Sequence, residues 1–412
     1  MKKAEEALLK AIGAALKGVQ LADDPGLSEA EWVALLKLAS DHEMLPMVFE
    51  AVMRCKSFTA LDSELREKYR KAAVSLAARQ ITQTNEFRTL MLRLREAALQ
   101  PTVLKGIAVR RLYPKPMLRP SVDEDLIVLP EETRAVHEFL LGEWLTPDKE
   151  NLPADGSVDL SYHRPDSPTY IELHTSFFPN ESEAYGNCNL PLKGALARTV
   201  EIEEEDVVLR TLSPTDHLLF LMLHAYKHFL HSGMGLRHVC DIGLFAQKEE
   251  TDCARIRSVC DEMGLTRFFA AVFTVGSRYL GLGEYPAFAD TEEDPEPLLF
   301  DMLCGGLYGN ADINRAHSST MTLEAAASQK SGRKRRGALH SVFLPKKALE
   351  GSYPVLKKHP YLLPFVWVHR AFRYITDRRH GRVDPTESIR IGRERVALME
   401  KYGIIGGEKP GK

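Results

Sequence analysis

The sequence predicts an α+β fold: a small mixed sheet flanked by N-terminal and C-terminal helical regions. Three observations carry that reading. Apolar residues recur at helical spacing over residues 1–99. Short β-branched and aliphatic runs, punctuated by Pro and Gly, are confined to 100–205. Helical periodicity then returns over 206–412, ending in a basic stretch. A chain of 412 residues suits this three-part organisation. Its 44% hydrophobic and 27% charged content excludes wholesale disorder, and 27 Gly with 23 Pro excludes a collagen-like chain.

In the first region, Leu8, Leu9, Ile12, Leu16 and Val19 mark an amphipathic helix. Ser28 and Glu31 form a capping box ahead of Trp32, Leu35 and Leu36. A second apolar series covers 44–52, and a long helix is expected over 63–99.

The middle region reads β-α-β-α-β-β. Thr102-Val103-Leu104 is a strand stopped by Lys105-Gly106, followed by a helical segment to about Tyr113. Pro114, Pro116 and Pro120 mark a loop. Residues 123–129 form a second strand, and 131–141 a helix closing at Gly142. Strands over 158–163 and 170–174 flank Pro165-Asp166-Ser167-Pro168, a hairpin signal. In the last region Ser213-Pro214-Thr215-Asp216 starts a helix, with Ser as cap and Pro at the first position. Loops are expected at 290–296 and 328–336, and no solenoid-type repeat is present.

Net charge is −3, but residues 330–412 hold 20 basic and 7 acidic side chains, leaving −16 on the rest. An acidic body partly neutralised by its own basic segment explains this, with an anionic partner as the alternative. The run Lys330, Arg333, Lys334, Arg335 and Arg336 lacks interleaved aromatics and reads as a solvated loop, with RNA or phosphate binding as the alternative. Trp367, His369, Arg370, Phe372, Arg373 and Tyr374 read as amphipathic helix packing before a nucleotide surface.

The six cysteines form no CxxC pair, which points to buried thiols in a reducing compartment. Glu5, Glu6 and Lys10 interrupt any signal-peptide core, and apolar stretches such as 361–368 are too short to span a bilayer. A soluble cytoplasmic protein without a membrane partner is expected.

The chemistry concentrates in Arg119-Pro-Ser-Val-Asp123-Glu-Asp125-Leu-Ile-Val128. On a strand, Asp123 and Asp125 share a face, about 6.6 Å apart along the backbone. Two such carboxylates repel unless a cation sits between them, and magnesium with substrate phosphates is the hard ion such a pair holds. In Tyr170-Ile-Glu172-Leu-His174, Tyr170, Glu172 and His174 share a face. If the strands are neighbours, Glu172 joins the two aspartates around two metals. Lys105-Gly106 offers a phosphate-facing cation, an unhindered backbone and a helix N-terminus.

These segments, with Leu-Ser-Pro-Thr-Asp-His, His224-Ala and the Arg237 and Asp241 of Leu-Arg-His-Val-Cys-Asp-Ile, resemble an uncharacterised bacterial nucleotidyltransferase family of the DNA polymerase beta-like superfamily. The resemblance implies Mg2+ held by Asp123, Asp125 and Glu172, with NMP moved from an NTP such as ATP to an unidentified acceptor. That acceptor is a small molecule, a protein or RNA. Lys105 and Gly106, and more weakly Arg119, would then face the triphosphate, with His224 at the nucleotide. Two departures stand out: Lys105-Gly106 replaces the superfamily's usual Gly-Ser, and Glu124 lies between the acids on the face expected to be buried. Glu124 needs an open surface or a basic partner, and it is the feature that favours an alternative: an inactive, antitoxin-like regulatory relative.

His217, His224, His228 and His231 fall on one side of a helix, and His224/His228 have the HxxxH spacing of zinc ligands. A polar helix side explains them more simply than a zinc hydrolase, since no acidic ligand set accompanies them. Arg237 and Asp241, at i,i+4, read as a helix ion pair.

Overall fold

The computed structural model describes residues 1–143, 145–148, 159–309, 313–331, 346–349, 353, 355–369 and 385–406. The expected α+β architecture is present: one seven-stranded mixed sheet with helices before and after it.

The N-terminal helices are α1 (Lys3–Leu16), α2 (Glu29–Asp41), α3 (Leu45–Val52), the single turn α4 (Lys56–Thr59) and the long α5 (Ser63–Glu96). Ser28 and Glu31 cap α2 reciprocally, as their spacing requires. Asp62 caps α5 by accepting from the backbone N–H groups of Glu64 and Leu65.

Strands β1 (Thr102–Val103), β2 (Glu124–Ile127), β3 (Thr146–Pro147), β4 (Asp159–His163), β5 (Tyr170–His174), β6 (Thr199–Glu204) and β7 (Val207–Leu212) line up as β3-β4-β5-β2-β1-β7-β6. Between them lie the one-turn α6 (Ile107–Arg110) and α7 (Thr133–Gly142). The hairpin read at Pro165–Pro168 joins β4 and β5, with Leu160 opposite Leu173, and Asp166 takes a positive φ of 60°. Sequence reading missed β3, and it missed the β6–β7 hairpin that carries the sheet past residue 205. β6 is rich in glutamate and exposed along much of one side, which weakens the apolar alternation a strand normally shows. Gly142 is the last helical residue of α7 and Glu143 its cap, so the expected glycine cap is displaced by one position.

One sheet face is apolar. Leu126, Leu160, Tyr162, Ile171, Leu173 and Leu209 pack with Phe87, Leu90 and Leu94 of α5 and Val136 and Leu140 of α7. The opposite face meets α8 (Pro214–His231) of the C-terminal helices, and α9 (Leu236–Lys248) packs on α8, followed by α10 (Cys253–Met263), α11 (Thr266–Leu280), α12 (Glu296–Gly305) and α13 (Ile313–Ser331). The Ser213 hydroxyl accepts from the backbone N–H of Asp216 and Pro214 opens α8, as the motif predicts.

Residues 328–331, expected to begin a loop, are instead the end of α13; Arg333, Lys334, Arg335 and Arg336 lie outside the described residues. So do Arg370, Phe372, Arg373 and Tyr374. Acidic side chains of the 290–296 loop meet basic partners: Asp290 pairs with Arg257 at 2.5 Å, and Asp294 with Lys401 of the last helix (Pro385–Lys401) at 2.6 Å. The Asp294–Lys401 contact puts part of the C-terminal basic charge against the acidic body.

Candidate active site

The register of two parallel strands builds the site. β2 and β5 pair with Asp125 beside Glu172 and Ile127 beside His174. Side-chain alternation puts Asp123, just ahead of β2, on the same face as Asp125. The sheet thus brings Asp123, Asp125 and Glu172 to one side, together with His174. Lys105, at the end of β1, reaches between the aspartates: its Nζ lies 3.4 Å from Asp123 Oδ2 and 3.0 Å from Asp125 Oδ2. His174 Nε2 lies 3.2 Å from Asp125 Oδ1 and 3.5 Å from Glu172 Oε2, while its Nδ1 meets Asp159 Oδ1 at 3.1 Å. One oxygen or nitrogen each from Asp125, Glu172 and His174 lies within 4.8 Å of the others, close enough for a shared cation. Asp123 falls outside that tight trio.

The two aspartates are electrostatically unequal. Burial raises the Asp123 carboxyl above its ordinary value, with Lys105 opposing and Asp125 adding to the rise. Burial also works against the Asp125 carboxylate, but Lys105 and His174 outweigh it and hold the group down at about 2. For His174, burial favours the neutral ring, yet its carboxylate partners raise it well above the ordinary imidazole value. A raised histidine stabilises the fold fully below the unfolded value, near 6.5, and loses that contribution as pH rises through the folded value. His174→Gln is therefore expected to lower the melting temperature at pH 6 and to cost progressively less under alkaline conditions. Thermal melts of both proteins across that range check this.

Glu124 points the other way, into the apolar side, and it has a basic partner. Arg110 of α6 approaches Glu124 Oε1 at 2.6 Å, both side chains being almost fully buried, and the Ile107 backbone N–H donates to Glu124 Oε2 at 2.8 Å. Gly106 makes room for this arrangement: its φ is +59°, and a Cβ there would lie 1.9 Å from Glu124 Oε2. The α6 N-terminus expected to face phosphate therefore receives an internal carboxylate instead.

Arg119 is also engaged inside the protein. Its Nε and Nη2 donate to Asp241 Oδ1 and Oδ2 at 3.0 and 2.5 Å, and the Tyr113 hydroxyl donates to the same carboxylate at 2.6 Å. Arg237 donates to Glu43 at 2.5 Å, the Pro120 carbonyl at 2.8 Å and the Tyr308 hydroxyl at 2.9 Å. The i,i+4 ion pair read for Arg237 and Asp241 is thus corrected: each residue ties α9 to a different part of the chain. Long-range partners displace the local one because both groups are buried and need full hydrogen bonding.

The histidine row divides. His217 lies in the core, with Nδ1 3.2 Å from Thr211 Oγ1 and its ring against Phe245. His231 Nε2 meets the Tyr185 hydroxyl at 3.1 Å. His224 and His228 face each other, Nε2 to Nε2, at 3.3 Å, and His238 of α9 joins them within 4.8 Å. Burial lowers all three, and neighbouring cations lower them further: Lys105 at His224, Lys227 at His228 and Arg237 at His238. Their surroundings are cationic, which suits a dication poorly. The uniform polar side expected for this helix is therefore three distinct environments.

Sequence reasoning assigned no role to His174, Asp159, Lys227, His238 or Tyr308. Strand alternation places His174 with Glu172, and i,i+3,i+4 spacing places Lys227 with His224 and His228. No local pattern marks Tyr308 or His238. A cavity of about 830 Å³, lined by Phe49, Met53, Phe58, Ala73 and Val74 among others, lies between the N-terminal helices and contains none of these groups.

Adjacent strands thus present paired carboxylates beside a lysine, a donor set able to hold a divalent cation. Residues 28–281 match the sequence model of a family described as uncharacterised nucleotidyltransferase, and the chain belongs to that family. The match spans the seven strands and helices α8 and α9. No curated protein and no solved structure matches the chain. Family membership supports nucleotidyl transfer as the general activity, with a nucleotide as substrate. Among the described residues, no helix is long and apolar enough to cross a membrane.

Proposed function

We propose that this chain is a magnesium-dependent nucleotidyltransferase of the DNA polymerase beta-like superfamily, acting in the cytoplasm. It would transfer NMP from an NTP such as ATP to a hydroxyl or phosphate on a small molecule, protein or RNA. The observation that carries this reading is the β2–β5 register, which sets Asp125 beside Glu172 on the face that also bears Asp123. The donor set suits Mg2+: three carboxylates offer hard oxygen ligands. Asp125 Oδ2 is buried without a well-directed hydrogen bond, although the Lys105 ammonium lies 3.0 Å away.

Asp123 and Asp125 would hold the metal ions, and Glu172 would complete the acceptor side. Bound magnesium supplies charge compensation for the transferring phosphoryl group and favours the deprotonated acceptor. His174 keeps Asp125 ionised and oriented by donating to it from the adjacent strand position. Lys105 neutralises the aspartates in the resting protein and is within reach of the charge that a triphosphate brings. Arg119 and Arg237 act at one remove, holding α9 over the site. His224 stands on the nucleotide side. The Arg110 partner of Glu124 weakens the case for an inactive regulatory scaffold, because the unusual acid is satisfied away from the metal face.

Incubating the protein with each labelled NTP, Mg2+ and a host-cell extract should yield a labelled product that Asp125→Asn fails to form. No label transfer from any of the four NTPs would count against the reading.

A further inference from the structure

Phosphate recognition gains most from a cation that is not already paired, and the structure offers one besides Lys105. The Lys105 ammonium lies between Asp123 and Asp125. Arg119 closes a two-point pair with Asp241, Arg110 is buried against Glu124, and Arg237 is divided among Glu43, the Pro120 carbonyl and Tyr308. Lys227 of α8 is different: among the described residues its Nζ forms no ion pair or hydrogen bond.

Its place on the helix is specific. Positions 220, 224, 227 and 228 follow i, i+4, i+7 and i+8, so Lys227 shares the stripe of Phe220 and His224, and the Phe220 ring lies 5.9 Å from that of Phe177, three residues beyond His174 at the end of β5. The side chain is half-buried, and burial together with the nearby Lys105 lowers its pKa, while Asp159, Asp125 and Glu172 pull in the opposite direction. It is therefore within electrostatic reach of the acidic cluster without touching it. An anion arriving between the two walls would relieve the repulsion that Lys227 shares with Lys105 and satisfy an ammonium that now lacks a partner.

We infer that Lys227 is a second phosphate-binding lysine of the site besides Lys105, contacting the polyphosphate of the incoming nucleotide from the α8 side while the carboxylates hold its cations from the sheet side. This inference rests on the nucleotidyltransferase reading and names a residue that reading leaves out. It also gives the His224–His228 pair a plain task, since neutral rings beside Lys227 add hydrogen-bonding groups without competing charge.

Calorimetry with magnesium tripolyphosphate, which carries no base, and with a non-hydrolysable ATP analogue would test it on wild type, Lys227→Ala and Lys227→Arg. Lys227→Ala should weaken both ligands about tenfold or more, and Lys227→Arg should recover most of the loss. Adenosine binding and Mn2+ binding without nucleotide should be retained in Lys227→Ala, because neither involves a phosphate contact. Affinity for tripolyphosphate within twofold of wild type in Lys227→Ala would overturn the inference. So would an equal loss of Mn2+ binding, which would mark a disturbed fold rather than a lost contact. Failure of the wild type to bind either phosphate ligand would instead remove the nucleotidyltransferase reading itself.

Discussion

Asp125→Asn is expected to reduce nucleotidyl transfer by about a hundredfold or more, because it removes a carboxylate that Lys105 and His174 hold ionised from a site suited to bind cations. The change keeps the shape of the side chain but not its charge. Binding of NTP in the presence of Mg2+ should weaken in parallel. Stability should fall as well. Two isolated aspartates would repel and gain from the substitution, but here Lys105 and His174 compensate them, so neutralising Asp125 leaves buried positive charge less balanced. A carboxylate held below its ordinary value contributes stability above that value and loses it as the proton returns. The melting-temperature gap between variant and wild type should therefore narrow as pH falls from 3.8 toward about 2. Full activity in Asp125→Asn would remove the metal-site assignment, whatever happened to the melting temperature.

Glu124→Ala is expected to cost about 3–5 kcal/mol of folding stability, the range for stranding one partner of a buried ion pair. Arg110 is left with Thr84, whose hydroxyl its Nη2 approaches at 3.1 Å, and the Ile107 N–H loses its acceptor. Denaturant unfolding of Glu124→Ala, Arg110→Met and the double variant gives the coupling directly. The double variant should be more stable than Glu124→Ala, since it carries no uncompensated charge. An additive result would show that the pair contributes little as a pair. Activity should follow the folded fraction in all three, because Glu124 points away from Asp123 and Asp125.

The sequence by itself determined the order of elements around the core, the shared face of Asp123 and Asp125, and the shared face of Glu172 and His174. All are local consequences of chain geometry: strand side chains alternate, Ser213-Pro214 starts a helix, and proline and glycine break the runs between. It also posed the problem of Glu124 correctly, as a buried acid requiring a cation, without naming Arg110. The tertiary structure decided what local rules cannot reach. Whether Glu172 stands beside Asp125 depends on β2 and β5 becoming neighbours, a pairing of residues far apart in the chain. The short, glutamate-rich or two-residue strands at the sheet edges take their structure from pairing rather than from apolar alternation. Each basic residue near the site had several carboxylates to choose from. Burial made those choices exclusive, because a buried charge must be paired closely. Arg119 went to Asp241, Arg110 to Glu124 and Lys105 to the aspartate pair, while Lys227 forms no ion pair among the described residues.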